Sequence, residues 1–277
     1  MNTFKTIILL ALMAGLVIWI GSFFGPAGMI IALIISFAMN IGAWFFSDKI
    51  VLGQYQAQPV DEKSHPRLHN LISRLAKNAD LPVPDIYIIP SASPNAFATG
   101  RDPQHAAVAV TKGALDILTE EELAGVMAHE LAHVKDRDTL IMVVAASIAG
   151  SIMFISRMGM WFGGGRGRDN PLGIIGLLVM VILAPMVAML VQMAISRTRE
   201  YMADKKGAQF AQNPHGLANA LEKLAQVSSI RPQRDLAEPA TAHMWIASPL
   251  SGNILAGLFS THPPIQERIK RLREMEV

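Results

Sequence analysis

Long uncharged hydrophobic runs alternate with polar regions along this chain. Residues 6–47 contain no Asp, Glu, Lys or Arg, and Gly25-Pro26 divides them into apolar segments of 18 and 19 residues (7–24 and 28–46). Two further uncharged runs, 139–156 and 172–195, contain 18 and 24 residues. A helix needs about 20 apolar residues to cross a bilayer. The pattern therefore predicts four transmembrane helices in two hairpins.

Two other interpretations of these runs are less well supported. The first run could be a cleaved signal peptide, but the second apolar segment follows at once and no small-residue cleavage site is evident. The second pair could be a buried hairpin of a soluble protein. The length of its runs and their lack of charge favour a pair of spans.

The predicted hairpins divide the chain into four parts. These are a hairpin (1–47), a polar region (48–138), a second hairpin (139–195) and a polar tail (196–277). Both polar parts then lie on one side of the membrane, where eight basic residues lie near the span ends: Lys5, Lys49, Lys135, Arg137, Arg197, Arg199, Lys205 and Lys206. The other side has three: Arg157, Arg166 and Arg168. The positive-inside rule predicts that the polar parts and both termini are cytoplasmic.

The polar region mixes helix and strand patterns, which indicates an α+β class that is mainly helical. Apolar residues recur at helical spacing after Ser64, the expected N-cap: Leu68, Leu71, Ile72 and Leu75. Three short runs are expected to form a small sheet: 86–89, 95–99 and 106–111. Thr119 and Glu122 have the spacing of a capping box, which predicts the start of another helix.

Composition excludes several classes of protein. The chain is 51% hydrophobic and 17% charged, which argues against disorder and against an ordinary soluble globule. It has no cysteine, so disulfides, iron–sulfur clusters, Cys-ligated zinc and thiol catalysis are excluded. The net charge of +2 gives no reason to expect nucleic acid as a partner.

The capped helix contains His129, Glu130 and His133 in the pattern H-E-x-x-H. Residues four apart lie on one helix face, so both imidazoles can bind a single ion, and neutral imidazole suits Zn²⁺. Glu130 is placed to act on a water molecule instead of binding the metal. His65 and His69 have the same spacing, but no carboxylate lies between them, and we interpret them as polar-face histidines.

A catalytic zinc site needs a third protein ligand, and no third histidine follows closely. Glu200, just after the last predicted span, is the best candidate, although it could be a solvated carboxylate, and His262 is another candidate. Asp204 is four residues after Glu200 and could accept the outer N–H of a ligating imidazole.

With these motifs, nearly the whole chain resembles the HtpX-type bacterial membrane zinc metalloproteases, which are related to the CAAX prenyl proteases. The resemblance rests on the four apolar runs and on these segments: Pro94–Gly100, His129–His133, Glu200–Asp204, and Thr261-His262-Pro263 with Arg268.

The resemblance implies a gluzincin-like catalytic domain and roles for particular residues. His129, His133 and Glu200 would bind one Zn²⁺ per chain, and Glu130 would be the general base. His262 would help to stabilise the transition state. Arg268 would pair with an acidic residue such as Asp204. Residues Asn95, Ala96 and Phe97 would belong to an edge strand that pairs with an extended polypeptide substrate.

The implied activity is hydrolysis of peptide bonds in misfolded or damaged membrane proteins, as quality control under stress, at the bacterial cytoplasmic membrane. Two rival classes are less well supported. A transporter is expected to carry ionisable residues within its spans, and the four runs have none. A catalytically inactive scaffold has no need for Glu130 between the two histidines.

Overall fold

The computed structural model describes residues 25–140, 142, 197–230, 236, 241, 244–247 and 263–276, with positions 11, 14, 15 and 18. Within these residues, no helix combines the length and the hydropathy that a membrane span requires. The predicted spans 7–24, 139–156 and 172–195 lie outside the described residues, apart from isolated positions. The predicted span 28–46 falls within helix α1, Gly25–Gln54, which continues past residue 47 without a break.

Six further α-helices with described bounds follow α1. Their bounds are α2 Pro66–Asn78, α3 Lys112–Ile117, α4 Glu120–Lys135, α5 Arg197–Ala211, α6 Pro214–Ile230 and α7 Ile265–Arg273. The apolar stripe predicted for α2 is confirmed, because all four of its residues are buried.

The N-cap predicted for α2 is wrong. The cap is His65, whose side chain makes no capping bond, and Pro66 occupies the first turn. Ser64 instead pairs with Asp61: the Ser64 N–H donates to Asp61 Oδ1 at 2.8 Å, and the Asp61 N–H donates to Ser64 Oγ at 3.0 Å. The hydroxyl is thus used in the turn before the helix. Proline lacks an N–H, so the first turn has one donor fewer to satisfy.

A mixed four-stranded sheet lies beside the helices, in the order β1-β2-β4-β3. Its strands are β1 Gln58–Val60, β2 Asp85–Ile89, β3 Ala96–Gly100 and β4 Ala106–Thr111. Strands β2 and β4 are parallel, whereas β1 pairs with β2 and β3 pairs with β4 in antiparallel fashion. The three predicted strands are confirmed and β3 is an edge strand. The sequence did not reveal β1, which has only three residues.

Helix α4 lies at the centre of the fold. The predicted capping box is confirmed: Thr119 Oγ1 accepts from the Glu122 N–H, and the Glu122 carboxylate accepts from the Thr119 N–H. Every residue of α4 from Glu122 to Val134 is buried, and the helix contacts α2, α5, α6 and β3. Buried polar side chains require partners. The histidines and glutamate on this helix must therefore be satisfied by its neighbours.

Candidate metal centre

Three buried side chains from two helices converge at the centre of the domain. His129 and His133 lie one turn apart on α4, and their Nε2 atoms are 3.1 Å apart. Glu200 on α5 places Oε2 3.8 Å from Nε2 of His129 and Oε1 3.5 Å from Nε2 of His133. One ligand atom from each residue lies within 4.8 Å of the others. Two imidazoles and one carboxylate are a donor set that suits zinc.

The outer nitrogen of His129 faces Asp204. Its Nδ1 lies 2.9 Å from Asp204 Oδ1. Arg268 on α7 binds the same carboxylate twice, with Nη2 donating to Oδ1 at 2.7 Å and Nε donating to Oδ2 at 3.0 Å. Burial would raise the pKa of Asp204, but Arg268 and His129 lower it to about 2. The structure thus brings Asp204 and Arg268 together behind the first histidine.

The outer nitrogen of His133 faces a residue that the sequence reasoning missed. Nδ1 of His133 lies 3.2 Å from Oδ2 of Asp138, whose Oδ1 accepts from Nη1 of Arg199 at 3.0 Å. Asp138 follows the end of α4 and is 2% exposed. The only sequence signal was an aspartate five residues after the second histidine. That spacing did not indicate a contact, because Asp138 lies outside the helix.

The Glu130 carboxylate contacts the edge strand of the sheet. Its Oε2 accepts a hydrogen bond of 2.8 Å from the backbone N–H of Ala98 on β3. Burial raises the pKa of Glu130 to about 8. A carboxylate with a pKa near neutrality can both accept and return a proton, as a general base requires.

The three residues expected to bind substrate lie at the start of β3 and are buried. The Ala96 C=O, on the free edge of the strand, accepts from the Ile246 N–H at 3.1 Å. The Asn95 side chain holds both backbone groups of Ala247, donating to its C=O at 2.7 Å and accepting from its N–H at 3.3 Å. Phe97 packs edge-on against Trp245, with ring centroids 4.9 Å apart. The chain's own segment 244–247 therefore lies along this part of the edge. His262 lies outside the described residues.

Known proteins resemble this chain over its whole length. The family model described as Peptidase family M48 matches residues 62–276. A Protease HtpX homolog from Syntrophobacter fumaroxidans is 53% identical over 281 residues, covering 99% of each chain. The chain belongs to peptidase family M48. The family resemblance expected from the motifs is thereby confirmed.

Two further matches agree with membership of the M48 family. The Protease HtpX homolog of Desulfatibacillum aliphaticivorans is 54% identical, covering 98% of this chain and 89% of the relative. A crystal structure of Ste24p from S. mikatae is 18% identical with a TM-score of 0.55, and the match covers 98% of this chain and 65% of that longer chain. The likeness to Ste24p shows the fold alone. As an M48 metallopeptidase, the chain acts on polypeptides, and its His-His-Glu cluster is consistent with a gluzincin zinc site.

The donor set of this M48 site fits a metal ion. Among the described residues, four buried acidic side chains lie around the two imidazoles: Glu130, Asp138, Glu200 and Asp204. Asp138 pairs with Arg199, and Arg268 lies close to both Asp204 and Glu200. Two imidazoles and one carboxylate whose ligand atoms lie close together are ligands that zinc accepts, so the residues present fit the zinc that the family implies.

The pKa values of the two histidines differ because their surroundings differ. Burial lowers the pKa of His129 to about 4, which keeps its imidazole neutral at pH 7, the form that binds a metal. Burial alone would lower the pKa of His133, yet Asp138 and Glu200 raise it to about 9. A bound cation would compete with the proton on His133.

A glycine allows α5 to approach the first histidine closely. A Cβ atom added at Gly207 would lie 2.9 Å from both Cα and N of His129, closer than real Cβ contacts occur. Glu200, Asp204 and Gly207 are spaced i, i+4 and i+7, so they share the face of α5 that contacts α4. Gly207 thus sets the distance between the helix that carries both histidines and the helix that carries Glu200.

Proposed function

We propose that this M48 peptidase is an integral membrane zinc endopeptidase that hydrolyses peptide bonds in misfolded or damaged membrane proteins. The observation that carries the proposal is the convergence of His129, His133 and Glu200 beside the buried Glu130. In this arrangement His129, His133 and Glu200 would hold one Zn²⁺ per chain. When bound, zinc lowers the pKa of a water ligand from 15.7 to about 7 and polarises the scissile carbonyl.

Glu130 would perform the proton transfers. It would accept a proton from the attacking water and deliver that proton to the leaving amine. Its Oε2 is held by the Ala98 N–H, which leaves Oε1 to exchange the proton. His262, from outside the described residues, would help to stabilise the negative charge that develops on the carbonyl oxygen.

The substrate would bind as an extended strand along the free edge of β3, next to Glu130. Asn95, Ala96 and Phe97 would form the contact, because the free edge of a strand offers backbone groups to any peptide. The contacts of segment 244–247 support this mode, since Asn95 and Ala96 already bind backbone groups there. A substrate would have to replace that segment. Recognition through backbone groups predicts broad tolerance of sequence.

Helix α1 supports a membrane location. It exposes large apolar side chains over its first half: Met29, Ile30, Ile31, Leu33, Ile34 and Phe37. An exposed apolar surface marks an interaction site, and a lipid bilayer fits residues 25–47 of this helix, which carry no charged side chain. The chain just beyond α1 enters the domain, where Tyr55 packs against Phe97 with ring centroids 6.1 Å apart. The proposed substrate strand would then lie close to the membrane surface, which favours membrane proteins as substrates.

The proposed location, membrane topology and partners follow from the sequence. The chain would be a multi-pass protein of the bacterial cytoplasmic membrane with its catalytic domain and both termini in the cytoplasm. Nucleic acid is not an expected partner.

The test of the proposed function is to purify the full chain in detergent and to measure bound zinc together with cleavage of casein, with and without a chelator. One zinc per chain and chelator-sensitive cleavage would support the proposal. Cleavage that is unaffected by removal of all metal would contradict it.

A further inference from the structure

We propose that Asp138 is a positioning residue for His133 and that Arg199 holds the Asp138 carboxylate in place. The inference rests on the proposed role of His133 as a zinc ligand. The carboxylate of Asp138 uses one oxygen for each partner: Oδ2 lies 3.2 Å from Nδ1 of His133, and Oδ1 accepts from Nη1 of Arg199 at 3.0 Å.

The backbone after α4 brings Asp138 to this position. The helix ends at Lys135, and Arg137 has a φ of +58° in the left-handed region. This conformation turns the chain back toward the helix. A residue other than glycine adopts it at some energetic cost, and such residues persist where the surroundings hold them in place. Here the turn places Asp138 beside His133 rather than continuing the helix past it.

The contact determines which nitrogen of His133 is available to a metal. An imidazole that donates its Nδ1 proton to a carboxylate carries its lone pair on Nε2. Nε2 of His133 is the atom that faces Glu200, 3.5 Å from Oε1. Asp138 therefore favours both the tautomer and the ring orientation that metal binding needs.

Each histidine thus has a carboxylate and then an arginine behind it. His129 contacts Asp204, which pairs with Arg268. His133 contacts Asp138, which pairs with Arg199. The two arrangements differ in where the arginine lies. Arg268 comes from α7, whereas Arg199 directly precedes Glu200 in α5.

The position of Arg199 next to Glu200 gives the second arrangement an added effect. The ion pair between Arg199 and Asp138 fixes the end of α5 that carries Glu200 relative to the end of α4 that carries His133. It thereby aligns two of the three proposed ligands at once. Arranging ligands in advance raises metal affinity because less freedom is lost on binding.

A second ion pair offers a matched control. Lys206 on α5 pairs with Asp136, the C-cap of α4, so it joins the same two elements. This ion pair includes none of the three proposed ligands, His129, His133 and Glu200. Removing this pair tests whether a general ion pair between α4 and α5 is enough to change zinc affinity.

The experiment compares five purified full-length variants in a zinc titration against a competing chelator: Asp138→Ala, Asp138→Asn, Arg199→Gln, Arg199→Lys and Asp136→Ala. We expect Asp138→Ala to lower zinc affinity about 10–100-fold. Asp138→Asn keeps an oxygen acceptor and should lose less. Arg199→Gln should lose several-fold, and Arg199→Lys, which keeps the charge, should restore most of that loss. Asp136→Ala should bind zinc like the wild type.

Two results would overturn the inference: zinc affinity of Asp138→Ala within about two-fold of the wild type, or an equal loss in Asp136→Ala. If Asp138→Ala does not fold, Arg199→Gln serves as the deciding variant, because the Arg199 side chain is 14% exposed and its loss disturbs the core less. A wild-type protein that binds no zinc would contradict the proposed function instead, so the two failures are distinguishable.

Discussion

The backbone N–H of Ala98 donates a 2.8 Å hydrogen bond to Oε2 of Glu130, which joins strand β3 to the central helix α4. The two residues are 32 positions apart in the sequence. A peptide paired with the free edge of β3 would lie beside this carboxylate. The strand proposed to bind the substrate and the residue proposed to move its protons are therefore held in direct contact.

Glu130→Ala is expected to keep zinc but to lose peptide hydrolysis. The side chain is not part of the His-His-Glu cluster, so the ligands remain, while loss of a general base reduces turnover by about 10²–10⁴-fold. Bound zinc and casein cleavage should be measured on the same sample. Glu120→Gln on the same helix is the control, since its side chain is 73% exposed. Cleavage at the wild-type rate by Glu130→Ala would exclude Glu130 as the base.

Glu200→Ala is expected to weaken zinc binding severely, because two histidines alone leave the site too open to hold the ion. Asp204→Ala should lose about 10–100-fold in zinc affinity, as expected for a residue that orients a ligand. His262→Ala should keep zinc and slow turnover. A zinc titration of all three variants with a competing chelator checks this order. If His262→Ala lost the metal and Glu200→Ala kept it, the two assignments would have to be exchanged.

Gly207→Ala is expected to reduce both stability and zinc affinity. The new methyl group would lie 2.9 Å from the backbone of His129 and would push α5 away from α4. Overpacking of this kind costs about 1–3 kcal/mol. Gly53→Ala is the matched control, because that glycine is also helical and has no atom within 4 Å of the added Cβ. Thermal unfolding and zinc titration give the two measurements, and equal behaviour of both variants would contradict the close-approach argument.

The Glu122 carboxylate is expected to make stability depend on pH. Burial would raise its pKa, but Lys223 and the Thr119 N–H lower it below the ordinary value of 4.5. A carboxyl group with a lowered pKa in the folded state stabilises the fold above its unfolded pKa, and this stability is lost as the pH falls through the folded pKa. Glu122→Gln should therefore lower the free energy of unfolding at pH 7, with a smaller difference at pH 3. A difference that does not change with pH would contradict this.

Reporter fusions test the predicted orientation in the membrane. A reporter after Val277 is expected on the cytoplasmic side, and a reporter within residues 163–165 on the opposite side. The physical reason is the excess of basic residues near the span ends on the side of the polar regions. Both reporters on one side would contradict the second hairpin, and an external C-terminal reporter would contradict the orientation.

Local patterns in the sequence were sufficient to predict many of the helices, strands and site residues of the catalytic domain. The i, i+4 spacing of His129 and His133 depends only on helix geometry, and the capping box at Thr119 depends on residues three positions apart. The three strands were predicted for the same reason, because runs of strand-forming residues are short-range signals. Glu200 was inferred from its place after the last uncharged run, and the structure brings its carboxylate to the two imidazoles.

Contacts between distant segments were decided by the tertiary structure alone. Asp138 meets His133 because a left-handed residue turns the chain after α4, and Gly207 matters only because α5 lies against α4 at His129. Segment 244–247 lies against Asn95 and Ala96, about 150 residues earlier, which no periodicity could indicate. Local sequence therefore determined which residues can do the chemistry. The three-dimensional approach of helices and strands determined which groups hold those residues in place, because such contacts depend on folding and not on spacing.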